Sequence, residues 1–316
     1  MNGSTFYFDF EVSLMVWLQN LIGSVGGSIA GFVTMLGEEL IYVALLGLLY
    51  WSINKRVGTV IGENLMLALL LNPMLKNIFV RRRPYFDHAD IKCLKKVDSS
   101  ADLYDIAAQG YSFPSGHSTN SAVIYGSLAV AFRKTLFVVI GIVLPLLIGL
   151  SRICLGVHYP TDVLVGWALG VLSIAIMALL RKLVKKAWLR YLIILALTIP
   201  GCFYCTSHDY YTALGMTVGF FASQLFEARF VRFENTKNVL NMILRVLLGL
   251  LLFLGVNSVL KLLFGLFSDG EYLFRVLRYA IDVFVLMGVY PISFRYIDRL
   301  FSRKNNAKNA QPMRSP

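Results

Sequence analysis

Charge is scarce in this 316-residue chain. Asp, Glu, Lys and Arg make up 15% of it against 57% hydrophobic residues, with a mean hydropathy of +0.66, a balance that excludes an ordinary soluble domain. Cysteine is sparse too. Cys93, Cys154, Cys202 and Cys205 are too few and scattered for a disulfide framework, and the Cys202/Cys205 pair has no second pair with which to bind zinc. No Asp/His/Glu cluster has metal-ligand spacing, so neither a metal nor a cofactor is expected. The opening "MNGSTFYFDFEVS" lacks the basic start, apolar block and small-residue cleavage site of a signal peptide, so insertion is expected from internal helices. Internal repeats and low-complexity segments are also missing.

What the chain does have is long apolar runs. Stretches of about 17 to 25 residues suffice at 1.5 Å per residue to cross roughly 30 Å of hydrocarbon, and a backbone without water must satisfy its hydrogen bonds as helix. The fold class is therefore an all-α integral membrane protein, a polytopic helix bundle. Spans are expected at 38–53, 57–80, 117–132, 135–153, 161–180, 189–206, 210–228 and 240–264, with a ninth at 276–296. Residues 1–37 are rich in apolar side chains, but Gly and Ser dominate from Gly23 to Gly31. That predicts short interfacial helices, with a full span as the alternative. Residues 301–316 are polar and expected to be a disordered cytoplasmic tail.

The net charge of +12 reflects membrane topology rather than nucleic-acid binding. The loops at Lys55/Arg56, Arg133/Lys134, 181–190 and 228–237 and the tail from Arg295 hold 18 of the 30 Lys plus Arg, and basic loops face the cytoplasm. The count places the N-terminus outside and the C-terminus inside. It leaves one exception, "FVRRRP" at 79–84, whose three arginines fall on the outer side. Charges there without a topological reason are functional candidates.

Three pieces share that outer side. In "KNIFVRRRP" (76–84), Lys76 and Arg83 are about two helical turns apart, so both should project from one helix face onto one anion, with Pro84 ending the helix. A basic helix end meeting lipid headgroups accounts for Arg81 and Arg82 but not for Lys76, which lies well inside the span. In "PSGH" (114–117), Ser115 is a candidate helix cap, Gly116 permits close backbone approach and His117 sits in the first turn, at an N-terminus suited to anions. In "SRICLGVHYPTD" (151–162), Arg152 ends one span, Pro160 suits the first position of the next helix, and Asp162 lies one turn from His158. The carboxylate can fix the imidazole tautomer and leave the other nitrogen free to attack. A helix N-terminus with three cations and two of the chain's four histidines describes metal-free phosphoryl transfer.

These pieces resemble the type 2 phosphatidic acid phosphatase superfamily: lysine, six residues, Arg-Pro; Pro-Ser-Gly-His; then Ser-Arg, five residues, His, three residues, Asp. All positions match. The resemblance implies that His158 is the nucleophile forming a phosphohistidine, that Asp162 orients it, and that His117 protonates the leaving alkoxide. Lys76, Arg83, Ser115, Gly116 and Arg152 would bind the phosphoryl oxygens. Residues 38–206 would be the six-helix catalytic core and 207–300 about three additional helices. That count is similar to the sphingosine-1-phosphate phosphatase and glucose-6-phosphatase branches.

The implied enzyme is a metal-independent phosphomonoesterase acting at the extracytoplasmic face of a cell membrane. Its substrate would be an isoprenoid, glycerolipid or sphingoid-base phosphate. A sugar-phosphate phosphatase, a lipid phosphotransferase and a non-enzymatic transporter or scaffold with the same fold remain alternatives, and hydrolysis of a panel of lipid and sugar phosphates separates them. Compact loops and the lack of organelle signals lean toward a bacterial plasma membrane. Within the arginine run, replacing Arg83 is expected to cost far more activity than replacing Arg81 or Arg82.

Overall fold

The structure, a computed structural model, describes residues 3–266 and 270–299; the expected tail at 301–316 lies outside them. The chain runs through α1 (Asp9–Val33), α2 (Glu39–Leu48), α3 (Lys55–Phe79), α4 (Pro84–Asp87), α5 (Ile106–Gln109), α6 (Gly116–Phe132), α7 (Thr135–Cys154), α8 (Pro160–Leu183), α9 (Ala187–Thr198), α10 (His208–Phe226), α11 (Val239–Phe264) and α12 (Glu271–Phe284), with residues 294–299 helical again at the end of the described chain. Wider π turns at Leu49–Ile53, Glu227–Val231 and Val285–Val289 extend α2, α10 and α12. The protein is an all-α, multi-pass membrane protein. Five helical segments are long and apolar enough to cross a membrane, and two shorter apolar ones, Glu39–Ile53 and Ala187–Phe203, accompany them.

The centre is α3, packed against α6, α8 and α10. Its burial explains its lower hydropathy: polar residues on it find partners inside the bundle instead of facing lipid. Asn64 donates to Ser127 at 2.9 Å and Asn72 to Thr119 at 3.1 Å, two polar rungs between α3 and α6. Near the start of α3, buried Glu63 accepts from Arg181, Arg190 and Tyr191 at 2.9–3.1 Å, tying α3 to α8 and α9. Outer helices carry their apolar residues outward, as with Leu251 and Leu262 of α11, which suits a lipid-facing surface.

The C-terminal helices close one side of this core. Gly215 and Gly219 let α10 approach α12 so closely that a Cβ would sit 2.4 Å from the Val276 carbonyl oxygen and 2.3 Å from that of Ala280. From α11, buried Arg245 donates to the Trp51 carbonyl and pairs with Asp298 at 2.7 Å, fastening the added helices to the end of α2.

α1, in the stretch whose glycine content predicts short helices, is two helical pieces joined across a kink at Gly23, whose φ of 55° is left-handed. It is long enough to cross a membrane, yet its contacts lie at one end of the bundle. Glu11 bonds Thr161 at the start of α8, Gln19 bonds the Lys92 and Cys154 carbonyls, and just beyond the helix Thr34 bonds Arg152 near the end of α7. A helix touching the same bundle end at its start, middle and far side lies across that end.

The core depends on close approach of α8 to α6. A Cβ at Gly170 would lie 2.7 Å from both the Ala122 Cβ and the Thr119 carbonyl oxygen. Gly170→Leu is expected to destabilise by about 1–3 kcal/mol through overpacking, seen as a lower melting temperature in detergent. Gly255→Leu, where a Cβ meets nothing within 4 Å, should leave it unchanged.

Candidate active site

Four chain segments reach one end of the bundle: the end of α3, the start of α6, the end of α7 and the start of α8. Lys76 comes from the last turn of α3 and Arg152 from the last turn of α7. His117 is the second residue of α6, and His158 lies just before Pro160, the first residue of α8. Lys76, Arg83, Gly116, His117, Arg152 and His158 line a single cavity of about 480 Å³. Asp162 and Ser115 are fully buried behind it.

Lys76 and Arg83 meet there by a different route from the single helix face that their spacing predicts. The helix ends at Phe79, because Val80 turns left-handed at φ 44°. Residues 80–82 then form an isolated β-bridge with Ser4, whose N–H donates to the Val80 carbonyl at 2.8 Å and whose carbonyl accepts from the Arg82 N–H at 3.0 Å. Pro84 does not end that helix; it is the first residue of α4, with Arg83 extended before it.

Arg83 is 2% exposed and held by main-chain oxygens. Its Nε donates to the Gln109 and Gly110 carbonyls at 2.9 and 3.1 Å, and its Nη1 to the Val157 carbonyl at 3.0 Å. The same Nη1 lies 3.4 Å from His158 Nε2, while His158 Nδ1 lies 3.4 Å from Asp162 Oδ2. A guanidinium can only donate and a carboxylate only accept. These neighbours therefore assign the proton to Nδ1 and a lone pair to Nε2. Burial, then the cations Arg83, Arg152 and Lys76, hold the His158 imidazole well below the ordinary histidine range, so it is neutral and able to act as a nucleophile.

Asp162 is itself fixed from three sides. Its Oδ2 accepts the Tyr159 N–H at 2.8 Å, a bond within the capping box of α8, and its Oδ1 accepts from Arg81 at 2.6 Å. Ser115 caps α6 by accepting the Ser118 N–H. The first-turn N–H groups of Gly116 and His117 have no acceptor within the helix.

Arg81 overturns the view of the arginine run as one site residue and two headgroup contacts. It is 1% exposed, stacked under the Tyr159 ring at 3.9 Å and the Phe6 ring at 4.5 Å. It pairs with both Asp162 and Glu11, the latter at 3.1 Å. Glu11 in turn accepts from Thr161 N–H and Oγ1 at 2.9 and 2.7 Å. Only Arg82 stays partly exposed, paired with Asp87 at 2.6 Å. Sequence reasoning missed Glu11, although a carboxylate amid "FYFDFEVSLMVW" needs a partner if it is to be buried. It also missed Thr34, which holds Arg152 at 3.0 Å, and Gln109, whose amide ties together Val97, Asp98 and Asp102 of the loop between α4 and α5.

Residues 58–186 match the PAP2 superfamily, and residues 211–303 match the transmembrane extension of PAP2 superfamily phosphatases. Decaprenylphosphoryl-5-phosphoribose phosphatase of Mycobacterium tuberculosis is 33% identical over 165 residues, 51% of this chain and 84% of the relative. The chain belongs to the PAP2 superfamily. It is thus a membrane phosphatase, a phosphoric monoester hydrolase. Phosphatidylglycerophosphatase B of Bacillus subtilis is 35% identical over 113 residues, 33% of this chain and 47% of that one. An undecaprenyl-diphosphatase of Sulfolobus acidocaldarius is 25% identical over 163 residues, 51% of this chain and 73% of the relative. No solved structure matches.

Arg81→Gln leaves two buried carboxylates short of a cation, a change that costs about 3–5 kcal/mol where a buried pair is broken. It is expected to lower both melting temperature and kcat, the latter by about 10- to 100-fold as for lost supports of a site residue, while Arg82→Gln changes neither. The His158 imidazole should remain neutral at pH 6 in the ligand-free enzyme, where an ordinary histidine of pKa about 6.5 is largely protonated. Its ¹⁵N chemical shifts in histidine-labelled protein check this. Because the unfolded chain takes up that proton from about pH 6.5 downward and the folded one does not, the contribution of His158 to stability falls as the pH is lowered from there.

Proposed function

We propose that this phosphatase hydrolyses the phosphate monoester of a lipid, without a metal ion, through a phosphohistidine on His158. The observation that carries the reading is His158, held through Nδ1 beside Asp162 and through Nε2 beside Arg83, lining one cavity with Lys76, Arg83, Arg152 and His117. Nε2 attacks phosphorus, the phosphorus–ester oxygen bond breaks, and His117 gives its proton to the departing alkoxide. His117 then takes a proton from water, whose oxygen attacks phosphorus and breaks the nitrogen–phosphorus bond, releasing inorganic phosphate and free His158. Asp162 stabilises the positive charge on the imidazole while Nδ1 keeps its hydrogen. Lys76, Arg83, Arg152 and the N–H groups at Gly116 and His117 stabilise the phosphoryl oxygens, with Ser115 holding that helix start in place.

Lipid substrates are favoured by a site set at the end of apolar helices and by the relatives, which are named as phosphatases of polyprenyl-linked and glycerolipid phosphates. The basic loops Lys55/Arg56, Arg133/Lys134 and 181–190 lie at the opposite end from His158, which supports an extracytoplasmic site by the positive-inside rule. On this reading α1 rests in the outer interface above residues 38–206, with 207–300 as added helices.

His158→Ala is expected to cut phosphate release by at least about 10³-fold, as loss of a covalent nucleophile does, while the protein still inserts and folds; unchanged turnover refutes the nucleophile. Activity should survive EDTA. Complete loss restored by zinc or magnesium refutes the metal-free mechanism.

A further inference from the structure

The cavity at His158 continues far beyond what a phosphate needs. Along α2 its lining runs from Glu39 to Trp51, along α3 from Lys76 back to Leu65, and along α10 from Asp209 to Phe220. At 1.5 Å rise per residue these walls are about 18, 16 and 16 Å long, three independent measures of one depth. Polar lining residues gather at the phosphate end: Glu38, Glu39, Asn72, Lys76, Asn120 and Asp209. The deep end is apolar, with Trp51 and Leu65 facing Met216, Phe253 and Met287. Three of those five come from the C-terminal extension, so that extension turns a phosphate site into a headed, tailed cavity.

We propose that this cavity takes the single apolar tail of the lipid phosphate, drawn inside the bundle between the core and the C-terminal extension. The proposal rests on the phosphatase reading above and narrows its substrate class. Continuity argues for the occupant: the apolar cavity opens onto the phosphate site, so a chain attached to the phosphate fills both at once. Size argues for one chain. At about 30 Å³ per water-sized group, a cavity of about 480 Å³ holds on the order of sixteen such groups; with the phosphate seated at one end, about a dozen methylenes fit, most of one long chain and too little for two. A single-chain alkyl, sphingoid or short isoprenoid phosphate fits. A two-chain glycerolipid would leave a chain outside, and a sugar phosphate would leave the apolar end unfilled, at a cost of about 25 cal/mol for each Å² of apolar surface left uncovered.

Two experiments test this. A hexadecyl phosphate carrying a diazirine near its terminal carbon is photolysed with the full-length His158→Ala protein in nanodiscs, which keeps the cavity but cannot form the nitrogen–phosphorus bond. Adducts on Trp51, Met216, Phe253 or Met287, suppressed by excess hexadecyl phosphate, are expected; adducts confined to outward residues such as Leu251 and Leu262 overturn the proposal. In turnover, kcat/KM of the wild type should rise from butyl to hexadecyl phosphate. Met216→Trp should lower it at least about tenfold for the long ester, equivalent to 1.4 kcal/mol, and leave butyl phosphate within about twofold, the latter reporting an intact fold. Equal losses on both esters, or no chain-length dependence in the wild type, overturn it. Cavity labelling without phosphate release from any ester would instead refute the phosphatase reading and leave the tail site standing.

Discussion

The site depends on buried cations whose charge is not consumed by the protein. Arg83 is inside the bundle, yet its partners are the neutral carbonyls of Gln109, Gly110 and Val157, and Arg152 is held by the Thr34 hydroxyl. Among the described residues, neither has a carboxylate at ion-pair distance, while Lys76 has Asp209 at 3.8 Å. Carbonyl and hydroxyl oxygens offset part of the desolvation cost of a guanidinium without neutralising it. The residual positive field is then available to a phosphate and stronger than it would be in water. Burial first, and this field second, keep His158 neutral, so the charge proposed to bind the substrate also prepares the proposed nucleophile.

Arg81 is the counter-example two residues away. Two carboxylates, Glu11 and Asp162, neutralise it, and two aromatic rings cover it. Its position is structural in the sense that matters for the chemistry: it fixes the carboxylate that fixes the imidazole. Because Glu11 and Thr161 complete the network, the N-terminal segment is part of the site's support rather than an appendage. Ser4, pairing with residues 80–82, bends the chain out of α3 and points Arg81 and Arg83 to different sides.

The bundle and its extension divide the remaining work. Polar rungs and close glycine contacts hold α3, α6 and α8 together, so the ends of four segments converge with little freedom. The added helices α10 to α12 enclose the apolar space beside α2 and α3, and Arg245 locks them to Trp51. A site at the end of one wall and an apolar interior behind it give the cavity its polarity, head at one end and tail at the other.

Much of this was legible in the sequence. Apolar run length located nine helical segments within a few residues, because a backbone in hydrocarbon has few alternatives to helix, although only four of the nine are among the described segments long and apolar enough to cross a membrane. The three motifs carried the eight candidate residues, and local rules alone put Ser115 at a cap and Pro160 at a first turn. What sequence could not supply were contacts between residues far apart in the chain. Seven residues of separation made Lys76 and Arg83 look like one helix face, but a β-bridge from Ser4 broke the helix between them. Sequence set Arg83 apart from its two neighbours, but only tertiary contacts gave Arg81 two carboxylates, the half-buried Arg82 one and Arg83 none. Residue type fixes what a side chain can donate, accept or carry. Which of those capacities is consumed and which is left for a ligand depends on what the fold brings beside it.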